Sequence, residues 1–322
     1  MSKRSVVMLA LVLAVPSALR AQDPQCEAQA PQLRDACQKA VDLYQYMAPQ
    51  LGISLTGGNA TAGQGGVLGG FGHFSVEVRG NGLVGSLPQV QAVTPSTSAM
   101  RSDTYGTKTQ VLGLPSATVG IGLFSGIPLG LTNVGGLDAI VTGTYIPEVN
   151  DANVSVAVPS GAFKLGYGAR LGILQESLLV PGVSVTYLRR DLPVVDITGN
   201  AGSTTLSVNG LTEKTDAWRV VASKNLVAFS LAVGAGQDKY TSSANVSSNT
   251  QGLFGGQTTT ITVGQTLTRT NYFADLSLNL VVFRVVGEVG MVSGGSVPTY
   301  NQFDKAPDAS RVFGSVGLRF GW

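Results

Sequence analysis

The sequence predicts an all-β fold, an antiparallel up-and-down barrel of about ten strands that crosses a membrane. Three observations predict it. Side chains alternate in polarity with a period of two over most of the chain, connections alternate between long and short, and charged residues make up only 12% of the 322 residues. Successive side chains of a strand point to opposite faces. One face therefore suits lipid and the other a polar interior.

The first 21 residues have the layout of a secretory signal peptide. Lys3 and Arg4 precede an apolar run at 6–15, and small residues lead to a cleavage site after Ala21. The run has about 10 residues, whereas a membrane-spanning helix needs about 20. A short N-terminal anchor is the alternative. Residues 1–21 are therefore predicted to be removed on export.

Two cysteines, Cys26 and Cys37, follow the predicted cleavage site. In an exported chain, two nearby cysteines predict one disulfide. A lipid-anchored cysteine is the competing interpretation, but residues 23–25 (Asp-Pro-Gln) are not the small apolar residues that such signals carry. A metal-binding pair also lacks supporting His or Asp spacing.

Residues 22–70 are predicted to form a periplasmic N-terminal arm that could plug the barrel. Apolar residues recur at spacings of four and three over 31–47, which predicts an amphipathic helix that Pro49 ends. The Gly-rich stretch 57–72 is predicted to be a flexible linker or a turn. It lacks the third glycine of a dinucleotide loop and the Lys of a phosphate loop.

The barrel is predicted to occupy residues 71–322, with short turns after even-numbered strands and long connections after odd-numbered ones. An even strand count leaves both ends of the barrel on the short-turn side, which is periplasmic in barrels of this kind. Two further β-rich stretches, 203–208 and 258–263, are predicted to extend neighbouring strands past the membrane. The alternatives are extra hairpins, giving twelve or fourteen strands, and a soluble β-sandwich. The ten predicted strands are 71–87, 115–126, 137–147, 163–174, 182–192, 212–222, 226–237, 267–280, 282–293 and 311–322.

The last strand is the most specific element. Its apolar parity ends with Phe320 and Trp322, and Arg319 lies on the opposite parity. This strand resembles the terminal strand of bacterial outer-membrane β-barrel proteins, which ends in Phe or Trp and is recognised for insertion. The resemblance implies an outer-membrane location, an insertion signal at Phe320 and Trp322, and three partners: outer-membrane lipid, the barrel-assembly machinery and periplasmic chaperones.

The inward parity of the predicted strands collects six cations and three anions. An Arg or Lys facing lipid at mid-depth would cost about 2–4 kcal/mol, so these groups are predicted to line the lumen. One interpretation is an ion-paired structural interior, and the other is a narrow pathway with a mild preference for anions. The nine residues are Glu77, Arg79, Lys164, Arg170, Arg219, Asp275, Arg284, Glu288 and Arg319.

Catalytic chemistry finds little support in the sequence. The chain has a single histidine, His73; Ser75 is near it, but no Asp is near in sequence to complete a triad. No cluster has zinc-ligand spacing. With a net charge of +2, the chain also gives no sign of a nucleic-acid partner. We expect neither an enzyme nor a resident cofactor.

A narrower resemblance concerns the layout of the chain. An N-terminal segment that feeds a Gly-rich stretch and then a barrel with long outer loops is similar to the fatty-acid and hydrocarbon uptake channels, in which the N-terminal segment plugs the lumen. The Asn-Pro-Ala-Gly segment of that family is absent, and ten strands fall short of its fourteen. The layout implies a narrow or plugged channel for small solutes or hydrophobic compounds. The alternative is a closed structural or adhesion barrel that acts through its extracellular loops.

Overall fold

The computed structural model describes residues 22–150, 154–201, 204–252, 255–280 and 282–322. The predicted signal peptide, residues 1–21, lies outside the described residues.

Ten antiparallel strands form a closed ring, which confirms the predicted count. Each strand pairs with its sequence neighbours, and the first strand pairs with the last, from Ser75 opposite Gly321 to Leu83 opposite Phe313. The strands are β1 (Phe74–Pro88), β2 (Thr107–Phe124), β3 (Gly136–Tyr145), β4 (Phe163–Leu174), β5 (Gly182–Asp191), β6 (Thr204–Asn225), β7 (Phe229–Gly252), β8 (Gly255–Asn279), β9 (Phe283–Ser293) and β10 (Arg311–Gly321).

The faces of the strands differ as the alternation predicts. On β10, Val316 and Leu318 are exposed on the outside, whereas Ser315 and Arg319 are buried inside. The same pattern of exposed apolar and buried polar side chains recurs around the ring. A closed antiparallel ring with an apolar outer band is the architecture of bacterial outer-membrane proteins, and it places this protein in that membrane.

The three strands β6, β7 and β8 are about twice as long as most of the others. The stretches 203–208 and 258–263 were predicted to be strand extensions, and the described residues of both belong to β6 and β8. The outer part of β6 also pairs with an added strand, Val195–Ala201, which pairs in turn with Val154–Ala157. The remaining short elements are Thr104–Tyr105, Ile127–Leu129, Thr132–Val134, Val149–Asn150, Gln302–Phe303 and a 3-10 turn at Val90–Ala92.

The N-terminal arm contains two helices, α1 (Pro24–Glu27) and α2 (Pro31–Thr56). The predicted disulfide between Cys26 and Cys37 joins them and is confirmed. The prediction that Pro49 ends the helix is wrong, because α2 continues for seven more residues. A proline removes one hydrogen bond from a helix interior, but Pro49 is buried within the barrel, where packing replaces that support. Neither helix combines the length and hydropathy needed to cross a membrane.

The arm lies inside the barrel. Helix α2 begins at the end of the barrel where the long connections meet, here called the outer end. Residues 57–70 then continue toward the end with the short turns, called the inner end. The sequence predicted a periplasmic arm that could plug the barrel. A purely periplasmic arm would lie beyond the inner end. An even strand count fixes where β1 begins but not where the preceding segment goes, and this segment occupies the lumen.

The Gly-rich stretch differs from the predicted flexible linker. Nearly all of residues 57–67 are buried, and they have no helix or strand of their own. Buried backbone groups need hydrogen-bond partners. The inward charged side chains of the barrel supply them.

Candidate functional site

The candidate site is the inner half of the lumen, where residues 57–68 of the arm contact charged side chains of the wall. We call these arm residues the plug segment. The wall side chains belong to seven different strands, and the period of two directs each of them inward.

Two wall carboxylates accept hydrogen bonds from one turn of the plug segment. Glu288 on β9 accepts from the backbone N–H of Gly58 at 3.1 Å and of Asn59 at 2.6 Å. Asp275 on β8 accepts from the backbone N–H of Gly63 at 2.8 Å and from the Asn59 side chain at 2.7 Å. Both carboxylates therefore bind N–H groups that have no secondary structure to pair with.

Two further carboxylates continue this pattern toward the inner end. Glu77 accepts from the backbone N–H of Ala62 at 3.1 Å. Both oxygens of Asp138 lie 3.1 Å from the backbone nitrogen of Leu68. Asp138 also pairs with Arg170, at 2.6 Å from Nη2 and 2.9 Å from Nε, and both side chains are fully buried. Such a short, charge-assisted contact fixes the geometry of both groups.

Arginines bind the carbonyl groups where α2 ends. Arg190 on β5 donates to the carbonyl oxygen of Leu55 at 3.2 Å. Arg219 on β6 donates to Gly58 O at 2.8 Å and to Gly57 O at 3.1 Å. The last carbonyls of a helix lack intrahelical partners and carry partial negative charge. These two guanidinium groups therefore cap the C-terminus of α2 in the middle of the barrel.

Two more arginines bind the plug segment itself. Arg79 donates to the carbonyl oxygen of Asn59 at 2.8 Å and lies 3.3 Å from a carboxylate oxygen of Glu77. Arg319 donates to the carbonyl oxygen of Ala62 at 3.3 Å and also contacts the Gln64 side chain. Wall carboxylates thus bind arm N–H groups while wall arginines bind arm carbonyls.

The nine residues predicted to line the lumen divide into three groups. Lys164 is exposed at the outer rim, because β4 begins only one residue earlier. Arg284 is half-buried at the inner end. The other seven are buried in the lumen and surround the plug segment: Glu77, Arg79, Arg170, Arg219, Asp275, Glu288 and Arg319.

Six further inward charges were missed by the sequence analysis. All of them are buried, and each shares the inward parity of its strand, so the alternation could have found them. With them, the buried wall groups on the described strands comprise seven arginines and six carboxylates, and the predicted excess of cations nearly disappears. The six are Asp138, Arg190, Glu213, Asp238, Arg269 and Arg311.

The outer half of the lumen is filled differently. One face of α2 packs with Val41, Tyr44 and the disulfide against apolar side chains of the extended strands, including Val246 and Ile261. This apolar core lies among the long connections. It excludes water around the first half of the helix.

Two long connections close over this end through charged helix residues. Asp35 accepts from the backbone N–H of Arg101 at 2.9 Å. Asp42 accepts from the backbone N–H of Asn301 at 2.7 Å and from its side chain at 2.6 Å. Burial raises the pKa of Asp42 to about 6, although hydrogen bonds from Asn301, Gln38 and Tyr300 oppose the shift. These contacts fix the connections that follow β1 and β9 onto α2.

A cavity of about 700 Å³ opens at the inner end, below the plug segment. Its lining combines Arg284 and Arg319 with polar side chains and with residues of the barrel rim, such as Phe283 and Trp322. The plug segment forms the roof of this cavity, with Gln64 and Val67 facing it.

The single histidine is not part of the buried network. His73 is exposed at the inner rim, where its Nδ1 lies 3.2 Å from the carbonyl oxygen of Trp322. Ser75 is buried on the inward face of β1. Within the ranges that the structure describes, there is no cluster of three or more His, Cys, Asp or Glu residues able to bind a metal.

Comparisons with known proteins give distant likenesses only. No protein-family model and no curated protein matches the chain. Among solved structures, the attachment invasion locus protein Ail of Yersinia pestis is 7% identical, with a TM-score of 0.20 over 78% of this chain and 99% of that one. An anion-selective porin from Comamonas acidovorans is 11% identical, with a TM-score of 0.19 over 78% and 98%.

A third structure, the CymD monoaromatic hydrocarbon channel, is 10% identical, with a TM-score of 0.25 over 80% of this chain and 89% of that one. All three are β-barrel proteins of bacterial outer membranes. At such low scores the likenesses carry no argument about function.

Proposed function

We propose that this protein is an outer-membrane channel for small solutes or hydrophobic compounds, closed in the present state by its own N-terminal arm. One observation carries the proposal. The charged groups of the wall bind the backbone of a separate segment, residues 57–68, rather than only one another.

The arm fills most of the lumen. A barrel with eight strands is narrow enough for wall side chains to fill it. This barrel has ten, and many inward positions carry small residues such as Ser75, Ser277 and Thr142. The remaining space is occupied by α2 and the plug segment, so removal of the arm would leave a polar passage lined by arginines and carboxylates.

The join between arm and barrel suits a segment that can move. Residues 71–73 are exposed, and Phe71 is 92% exposed. Gly72 has a φ of +93°, which favours glycine. The plug segment is bound by directed polar contacts, which water can replace, whereas the outer half of α2 lies in an apolar core.

The test is ion conductance in planar bilayers, comparing the wild-type protein with a variant that lacks residues 22–70. We expect the wild type to be closed for most of the time and the arm-deleted barrel to conduct continuously. Folding of both is checked by far-UV circular dichroism and by the altered mobility of folded barrels in electrophoresis. A folded arm-deleted barrel that does not conduct would contradict the proposed channel function.

A reversible disulfide crosslink tests the same proposal in the full-length chain, in case the deletion variant misfolds. A Cβ placed on Gly63 lies 3.2 Å from the Cβ of Ser277, close to the separation of about 3.5–4.5 Å in disulfides. Gly63→Cys with Ser277→Cys should therefore join the plug segment to β8, although the φ of +71° at Gly63 adds strain. Oxidation of the double variant should abolish the brief channel openings that the wild type shows, and reduction should restore them. The conductance of the single variant Ser277→Cys should respond to neither treatment.

A closed barrel that acts through its outer connections is the second candidate. The observation that favours it is the length of β6, β7 and β8, whose outward faces beyond the apolar band carry Thr, Ser and Asn side chains. This candidate expects no conductance from the folded barrel with or without the arm, so the same bilayer experiment separates the two.

A further inference from the structure

We propose that the cavity at the inner end is a binding site for a small organic carboxylate, with Arg284 as its principal ligand and Arg319 beside it. The site lies at the mouth of the proposed channel and so deepens the proposed function. The test below measures binding rather than conductance, so one proposal can fail while the other stands.

The first observation is the position of the two arginines. Arg284 on β9 and Arg319 on β10 are directly opposite each other in the antiparallel register, and both line the cavity. Like charges at opposite positions of neighbouring strands are unfavourable. An anion between them would remove that repulsion.

The second observation is that Arg284 has no hydrogen-bond or ion-pair partner among the residues that the structure describes. Every other arginine within the described residues donates to a carbonyl or side-chain acceptor or forms an ion pair, whereas Arg284 does neither. Arg319 is partly satisfied by Ala62 and Gln64 of the plug segment, and its register neighbour on the adjacent strand β1 is Glu77. Glu77 is engaged with Ala62 and Arg79, so no carboxylate serves Arg284.

The rest of the lining defines the class of ligand. One carboxylate, Glu176, also lines the cavity, but it accepts hydrogen bonds from Ser223 and from the backbone N–H of Asn225. Among the side chains of the lining, the two guanidinium groups thus face one carboxylate that already has other partners. Guanidinium groups bind carboxylates through paired, planar hydrogen bonds.

The apolar part of the lining suits an organic body. Leu178, Val227 and Leu280 of the short turns lie at the mouth of the cavity, and Val67 and Leu68 form part of its roof. A volume of about 700 Å³ is within the range of small-molecule sites, about 300–1,000 Å³. A short-chain fatty acid would place its carboxylate at Arg284 and its chain among these side chains.

The test uses hexanoate as the probe and the full mature protein folded in neutral detergent. The chain has two tryptophans, and Trp322 lines the cavity, so Trp218→Phe leaves a fluorescence signal at the site itself. Binding is measured by this fluorescence and by titration calorimetry. We expect saturable binding of hexanoate that weakens as salt is raised.

The decisive variant is Arg284→Gln, matched with Arg189→Gln. Arg189 has a partly exposed side chain near Asp191 and Asp216, away from the cavity. Loss of a charged hydrogen bond should weaken hexanoate binding about tenfold or more in Arg284→Gln, with Arg189→Gln unchanged. Arg284→Lys should bind with intermediate affinity, because it keeps the charge and loses the planar pair.

Four results would overturn the proposal. Equal binding by wild type and Arg284→Gln would remove Arg284 from the site. Equal binding of hexanamide would show that the apolar lining suffices without a carboxylate. Tighter binding of inorganic phosphate than of hexanoate would assign the site to a different anion. Wild-type protein that does not bind hexanoate, together with an arm-deleted barrel that conducts, would refute this site and leave the proposed channel standing.

Discussion

The two halves of the lumen accommodate one continuous arm in different ways. In the outer half, α2 presents side chains to an apolar core that includes the disulfide and the extended strands. In the inner half, the plug segment presents its backbone, and wall carboxylates and arginines bind its N–H and carbonyl groups. Apolar packing is non-directional, whereas charge-assisted hydrogen bonds require fixed geometry. An inward charge in a barrel can therefore bind a polypeptide and need not line a water-filled path.

The largest expected effect is in the inner half. Asp138→Asn leaves the buried Arg170 guanidinium without its carboxylate and weakens the contact with Leu68. Breaking a buried pair costs about 3–5 kcal/mol, so we expect a loss of that order in the free energy of unfolding, measured by urea titration in detergent. Asp216→Asn removes a partly exposed carboxylate near Arg189 and should cost less than about 1 kcal/mol. Equal losses of unfolding free energy in the two variants would show that the buried network stabilises the fold no more than a surface ion pair does.

The disulfide tests the outer half. Replacing Cys26 and Cys37 with alanine should lower the free energy of unfolding by about 2–4 kcal/mol. Hydrogen exchange resolved along the chain should show faster exchange in the first half of α2 and unchanged exchange in residues 57–68. Faster exchange in both would show that the two halves of the arm open as one unit, and would contradict their independent attachment to the barrel.

A pH titration addresses the contact between α2 and the connection after β9. The pKa of Asp42 is about 6 in the folded protein and about 3.9 when unfolded, so between pH 4 and pH 6 only the folded state keeps this proton. Protonated Asp42 therefore stabilises the fold fully below pH 4, and this contribution is lost as the pH rises through 6. The free energy of unfolding should fall by about 3 kcal/mol at most over this range. Asp42→Asn should remove this slope from the unfolding free energy. An unchanged slope in that variant would assign it to other groups.

The smallest predicted effect concerns the closest approach of α2 to the wall. A Cβ on Gly52 would lie 2.5 Å from Cδ1 of Tyr240. Gly→Ala inside a helix normally raises the free energy of unfolding by about 1 kcal/mol. Here we expect overpacking to lower it by about 1–3 kcal/mol. Gly287→Ala, where nothing lies within 4 Å of the new Cβ, should be nearly neutral. Stabilisation by Gly52→Ala, measured by the same urea titration, would show that the helix shifts freely within the barrel.

The alternation in the sequence was sufficient to predict the ten strands and the inward direction of Arg79, Arg170 and Arg219. The position of a residue along a strand determines which face its side chain points to, but not which groups the side chain contacts there. Arg79 and Arg219 donate to carbonyls of the plug segment, and Arg170 donates to the Thr61 hydroxyl and to Asp138. A backbone carbonyl that acts as a partner leaves no mark in the sequence. The same limit explains the error at Pro49, because the support that carries α2 past a proline comes from distant strands.

The central claim is that the barrel wall binds the backbone of the plug segment. Hydrogen exchange of the amides of Gly58, Asn59, Gly63 and Leu68 tests it most directly, since each is bonded to a buried carboxylate. In the folded wild-type barrel we predict exchange over hours, with the Leu68 amide becoming faster in Asp138→Asn. Exchange of all four amides within seconds, at the rate of an unstructured peptide, would contradict the account.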